Sequence, residues 1–204
     1  MAKDITSKEI WDDVFNLFYS ECKKIIDNYE LLEIDGCQIV EDQLKPIIWH
    51  IFHKNKILSI TEAKYNKLDM KDNKKRLDMK VITPSHKICC IEIKRNLLRL
   101  RKYTSAIEKY GTDIDKLNKA YKHIIKQKHA CSRIFIEILF FNRNIDKITY
   151  IRYARKLFDF YNKYILEHFE WPILNHYRFG GKEFIIQNNK KETICLEMSL
   201  WISD

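Results

Sequence analysis

The apolar positions of this chain change period along its length. Ile10, Val14, Leu17, Phe18 and Ile25 recur at helical spacing behind "TSKE" (Thr6 to Glu9), a stretch of capping-box form, and predict a long amphipathic helix over about 8–28. Asp35–Gly36 breaks the chain. Glu41 to His53 then reads as a second helix with Leu44, Ile47, Ile48 and Ile51 on one side, in which Pro46 is tolerable only near the start. "ILSITEAKY" is a β-type run, and beyond the polar loop "NKLDMKDNKK" two more strands are expected, "RLDMKVIT" and "KICCIEIKR". Ile114, Leu117, Tyr121, Ile124 and Ile125 mark a helix from about Asp113 to Gln127, and "SRIFIEILFF" reads as a central strand covered on both sides. "YARKLFDFYNKYILEHF" predicts a further helix, and "KEFIIQNN" with "ETICLEMSLW" a hairpin around Asn188–Asn189. Without repeats, Pro- or Ser-rich linkers or a low-complexity tail, the pattern predicts a single α/β domain over 1–204, a central mixed sheet flanked by helices.

Alternation within the strand pair has chemical content. Leu77, Met79, Val81, Cys89, Ile91 and Ile93 fall on one face, and Arg76, Asp78, Lys80, Glu92 and Lys94 on the other. If the segment folds back at "TPSH", reflection about Ser85 sets Asp78 opposite Glu92 and Arg76 opposite Lys94. Like charges directly opposed across strands, with Cβ atoms about 4.5–5.5 Å apart, are destabilising, so something should compensate. A hard divalent cation bridging both carboxylates would do so, because Mg²⁺ takes oxygen ligands and completes its shell with water and substrate phosphate. Lys94 could then orient or polarise the attacking water.

Asp78 in "RLDMKV" and Glu92-Ile93-Lys94 in "IEIK", on consecutive strands, resemble the signature of the PD-(D/E)XK, or restriction-endonuclease-like, nuclease superfamily. The order helix, three strands, helix, strand, over about 40–141, is also similar to that family's core. The helix over 8–28 and the helix plus hairpin over about 151–201 lie outside the match. The resemblance implies Asp78 and Glu92 as metal-binding carboxylates, the Ile93 carbonyl as a further ligand, and Lys94 as the residue positioning the nucleophilic water. It also implies a catalytic role for Glu41, similar to the acidic residue that many members carry in the preceding helix. The proline that often precedes the family's aspartate is replaced by Leu77.

Composition sets the remaining bounds. With 204 residues, 46% hydrophobic and 13% aromatic, the chain is not of disordered type. Its formal charge of +9 favours polyanionic partners or an acidic membrane surface. The charged opening "MAKDITSKEIWDDVF" is unlike a signal peptide, and no run of about eighteen uncharged apolar residues exists, so no membrane partner is expected. Cysteines at 22, 37, 89, 90, 131 and 195 have no zinc-module spacing and read as reduced core residues, which implies an intracellular protein. Adjacent Cys89 and Cys90 should point to opposite faces.

"KRNLLRLRK" packs Lys94, Arg95, Arg99, Arg101 and Lys102 into nine positions directly after the candidate site. There these residues would hold phosphates, as would Lys119 and Lys122 on the following helix. His50 and His53 are one turn apart but lack zincin spacing, and no Walker loop, nucleophile elbow or dinucleotide fingerprint is present. The expected function is a Mg²⁺-dependent nuclease, with Mn²⁺ able to substitute, acting on DNA. Cutting both strands would favour a homodimer. Three alternatives remain: a solvated hairpin face of surface ion pairs, a catalytically silent nucleic-acid-binding module on the same fold, and a basic protein-interaction domain.

Overall fold

The computed structural model describes residues 4–28, 39–64, 76–98, 103–142, 173–187 and 191–204, with single positions at 152 and 155. Apart from position 155, the helix expected over 153–169 lies outside these residues, as does Cys37. Helices α1 (Lys8–Asn28) and α2 (Ile39–Lys54) precede strands β1 (Leu58–Lys64), β2 (Arg76–Ile82) and β3 (Ile88–Leu98). Helix α3 (Tyr103–Lys126), β4 (Cys131–Asn142), β5 (Ile173–Gln187) and β6 (Lys191–Ser203) follow. The six strands form one mixed sheet in the order β1-β2-β3-β4-β6-β5, parallel only between β3 and β4. This is the α/β architecture that the changing period predicts.

Two apolar clusters lie on the two sheet faces. The larger gathers Trp11, Phe18, Leu44, Ile48 and Phe52 of α1 and α2 against Met79, Val81, Ile91 and Ile134 of the sheet. Its centre is anchored by the Trp11 ring, edge-on to Phe52, whose indole N–H donates to the Ile5 carbonyl at 2.7 Å. The smaller cluster sits beneath α3 and joins Ile114, Leu117, Ala120 and Ile124 to Cys90, Phe135 and Trp201. Cys89 and Cys90 divide between the two clusters, as adjacent strand residues must. The five described cysteines are free; Cys22, Cys89, Cys90 and Cys131 are buried, whereas Cys195 is half-exposed and no core residue.

The structure departs from the expected elements in four places. Helix α3 begins at Tyr103, not near Asp113. Pro46 sits inside α2, where it cannot donate to the carbonyl four residues back. Strand β5 begins at Ile173, not Lys182, because Gly180–Gly181 does not turn the chain but sits at a register shift between Phe179 and Lys182, with Gly181 at a φ of 77°. Leu77 packs in the α3-side cluster, although Met79, two residues on, packs in the other. Regular alternation therefore stops at Asp78, where β2 parts from β3.

Candidate active site

The β2–β3 turn fixes the site. Thr83 and Lys87 close it, the Thr83 N–H donating to the Lys87 carbonyl at 2.9 Å, and the register then runs Ile82 with Ile88, Val81 with Cys89, Lys80 with Cys90 and Met79 with Ile91. Each of these pairs is symmetric about Ser85, as the sequence predicts. The next positions are Asp78 and Glu92, and there the ladder ends. The Asp78 side chain spans the opening: its Oδ2 accepts the Ile93 N–H at 2.8 Å in place of a backbone partner, while Oδ1 lies 3.1 Å from Lys45 Nζ of α2. In a strand the N–H and C=O of one residue face the same neighbour, so the Ile93 carbonyl also faces this opening.

Glu92 turns the other way, under α3. The residue is 1% exposed, and its Oε2 accepts from Lys116 Nζ at 2.9 Å. Lys116 also lies 3.0 Å from Asp113 Oδ1, and Asp113 Oδ2 lies 2.6 Å from Lys94 Nζ, close enough to pair by charge although not aligned as a hydrogen bond. Glu92 Oε1 is buried without a hydrogen-bond partner. The network therefore runs Glu92, Lys116, Asp113, Lys94. It joins strand to helix through groups that are mostly withdrawn from water, so the solvated-face alternative does not describe it. Breaking a buried pair of this kind by removing one partner typically costs about 3–5 kcal/mol, against about 0–1 kcal/mol for a surface pair.

The electrostatics follow from that burial. Loss of water pushes the Glu92 carboxyl up to about 8, and the nearby charge of Asp78 adds to the shift, outweighing the ammonium of Lys116. Burial works against the charge on Lys116, but Glu92 and Asp113 outweigh it and hold Lys116 protonated well above its ordinary range.

The expected residues are distributed as follows. Asp78 meets the Ile93 N–H at the parting of β2 and β3 and reaches Lys45 of α2, whereas Glu92 and Lys94 turn to Lys116 and Asp113 of α3, so the single face expected for Asp78, Glu92 and Lys94 is not kept once alternation stops at Asp78. Lys94 is engaged by Asp113. Glu41 is on the first turn of α2, and Arg95 is on β3 alongside Ile138; the side chains of both lie outside what is described. Arg99, Arg101 and Lys102 lie outside the described residues. Lys119 and Lys122 are exposed on α3. His53 stacks on Trp49, with ring centroids 5.1 Å apart. Sequence reasoning missed Lys45, Asp113 and Lys116, which come from the flanking helices. It also missed Glu137, buried on β4 directly beside Lys94.

Among the described residues no three His, Cys, Asp or Glu side chains converge as a ready-made metal cage. The opening offers oxygen in the Asp78 carboxylate and the Ile93 carbonyl, and on the α3 side of the same strand lies the Glu92 carboxyl with its unpartnered buried atom. This donor set suits a hard cation that keeps part of its water. Among the described residues no helix is long and apolar enough to cross a membrane. No protein-family model matches the chain, and neither a curated protein nor a solved structure matches it.

Proposed function

We propose that this chain is a divalent-metal-dependent nuclease of the restriction-endonuclease-like kind, hydrolysing phosphodiester bonds of DNA. The observation that carries the reading is the buried, unpartnered Oε1 of Glu92 at the end of a ladder whose next residue across is Asp78. A strand interior does not keep an unsatisfied carboxylate oxygen without a reason, and a cation is the partner that fits. The order α2, β1, β2, β3, α3, β4 supports the same reading, since it repeats that of the nuclease core. Asp78 and Glu92 would hold Mg²⁺ or Mn²⁺ with the Ile93 carbonyl, and Glu41 would assist from α2. The bound ion would supply Lewis acidity and an activated water. Lys94, anchored by Asp113, would orient that water, and Arg95, Arg99, Arg101, Lys102, Lys119 and Lys122 would grip the phosphates.

One observation favours a second reading. Glu92 and Lys94 are already tied to Lys116 and Asp113, as in a module that binds nucleic acid without cutting it. Plasmid, linear, branched and single-stranded DNA and RNA, each incubated with Mg²⁺, Mn²⁺ or EDTA, separate the two. Cleavage only with metal supports the nuclease; binding without cleavage under every condition supports the silent module and overturns the first reading. DNA binding should weaken steeply with salt, because phosphate contacts release counterions, and Arg99→Gln with Arg101→Gln should reduce the slope of log affinity against log salt by about 2. An unchanged slope removes this stretch from the binding surface. A basic protein-interaction domain would show no salt-dependent affinity for nucleic acid.

A further inference from the structure

We propose that Lys116 is a resident counter-cation of the site, which a divalent ion must displace from Glu92, so that α3 sets the metal affinity. The inference rests on the metal-site reading above and goes beyond it, because Lys116 belongs to neither the strand pair nor the nuclease signature. Its ammonium bridges carboxylates from two elements, 2.9 Å from Glu92 on β3 and 3.0 Å from Asp113 on α3. Both carboxylates are nearly closed to solvent, at 2% and 8% side-chain exposure. A compact ammonium with three donors is the side chain that best imitates a small cation. The imitation is incomplete, because Glu92 Oε1 remains unpartnered. A divalent ion reaching that oxygen can use what the ammonium leaves unused.

The surroundings point the same way. Among the described residues the carboxyl groups of Asp78, Glu92 and Asp113 lie against the ammonium groups of Lys45, Lys116 and Lys94. Glu137 adds a further buried carboxylate beside Lys94, and the exposed Asp115 and Lys119 flank Lys116 on α3. An ion carrying two charges, entering beside Lys116, is repelled by it unless the ammonium swings out towards solvent. The lysine is placed to do so, since its side chain keeps 25% exposure and its stem emerges from a surface helix.

The test is direct Mn²⁺ binding by calorimetry without nucleic acid, on the parent, Lys116→Met, Lys116→Gln and, as a surface control, Lys24→Met. Removing the competing ammonium should tighten Mn²⁺ binding about tenfold or more in both Lys116 variants and leave Lys24→Met at the parental value. A proton on Glu92 gains from the same removal as one charge and the ion gains as two, so the direction holds whether or not Glu92 is protonated. Lys116→Met should also lose thermal stability without metal and recover it with Mn²⁺ by more than the parent gains. A parent that binds Mn²⁺ and cuts DNA, beside Lys116 variants with unchanged or weaker affinity, overturns the inference and leaves the nuclease reading standing. Lys116 variants that stay unfolded even with Mn²⁺ also overturn it, since the ion then cannot take the ammonium's place. A parent that neither binds Mn²⁺ nor cuts overturns both.

Discussion

Asp78→Ala should lower metal-dependent cleavage by about 1,000-fold or more while leaving DNA affinity in EDTA at or above the parental level. The loss follows from poor occupancy of the cation: if the ion supplies both Lewis acidity and the activated water, several kcal/mol of transition-state stabilisation go with it, at about 1.4 kcal/mol per factor of ten. The retained affinity follows from sign, since one negative charge near the phosphates has gone and the neighbouring lysines and arginines stay. The substitution also strands the Ile93 N–H, which Asp78 now satisfies, and removes one ion-pair contact of Lys45. An unsatisfied buried donor costs about 1–3 kcal/mol, so the variant should melt lower while remaining folded. Asp78→Asn separates the two effects, because its amide oxygen can accept from Ile93 without the charge a cation needs. Parallel measurements of cleavage in Mg²⁺ and affinity in EDTA, with circular dichroism, decide the matter. A folded Asp78→Ala protein that cuts at the parental rate would sink the catalytic role.

The second large effect concerns Glu92 and pH. Its carboxyl titrates at about 8 in the folded chain against 4.5 ordinarily. Between those values the folded form keeps a proton that the unfolded form has released. The contribution of Glu92 to metal-free stability is therefore complete below about pH 4.5 and is lost as pH rises through about 8, by roughly a kcal/mol or more per unit where the slope is steepest. Glu92→Gln, which cannot ionise, should remove that fall, so that the variant gains on the parent steadily from acid to alkaline pH. Mg²⁺ should restore the parent at alkaline pH, where the ion takes over from the proton, and should not help the variant. Denaturant unfolding of both proteins from pH 5 to 9, in EDTA and in Mg²⁺, tests this. A parent-minus-variant difference that stays flat with pH would show that Glu92 is ionised throughout.

How much of this could be read from the chain depends on how local each feature is. The β2–β3 pairing was legible because a tight turn and alternation fix a register, and symmetry about Ser85 then names every partner down to Met79 and Ile91. The C-terminal hairpin was legible for the same reason, with Gln187 opposite Lys191. The strand β4 announced itself as an apolar run, and its residues are buried throughout 131–140. The first half of α3 was hidden by its basic approach and by Gly111, although Tyr103, Ile107, Tyr110 and Ile114 do keep helical spacing. The Gly180–Gly181 pair reads as a turn from its type alone, and only cross-strand pairing reveals a bulge. The lysines that neutralise the acids had no local signature. Lys45 and Lys116 are two among many basic residues, and what selects them is the packing of α2 and α3 on opposite sheet faces, which sequence spacing does not encode.

Those opposite faces are covered by different chemistry. Among the described residues, the apolar cluster beneath α3 is the smaller, and part of what α3 covers is charge. A seam that encloses charged groups is a place where water can enter at low cost, so native-state fluctuations that reach Glu92 should begin at α3. When α3 lifts, Asp113 and Lys116 leave with it, and Glu92 passes from a desolvated to a hydrated carboxylate in the same event. Water admitted to the helix–sheet seam would therefore also ionise Glu92, the carboxylate proposed above to hold the cation.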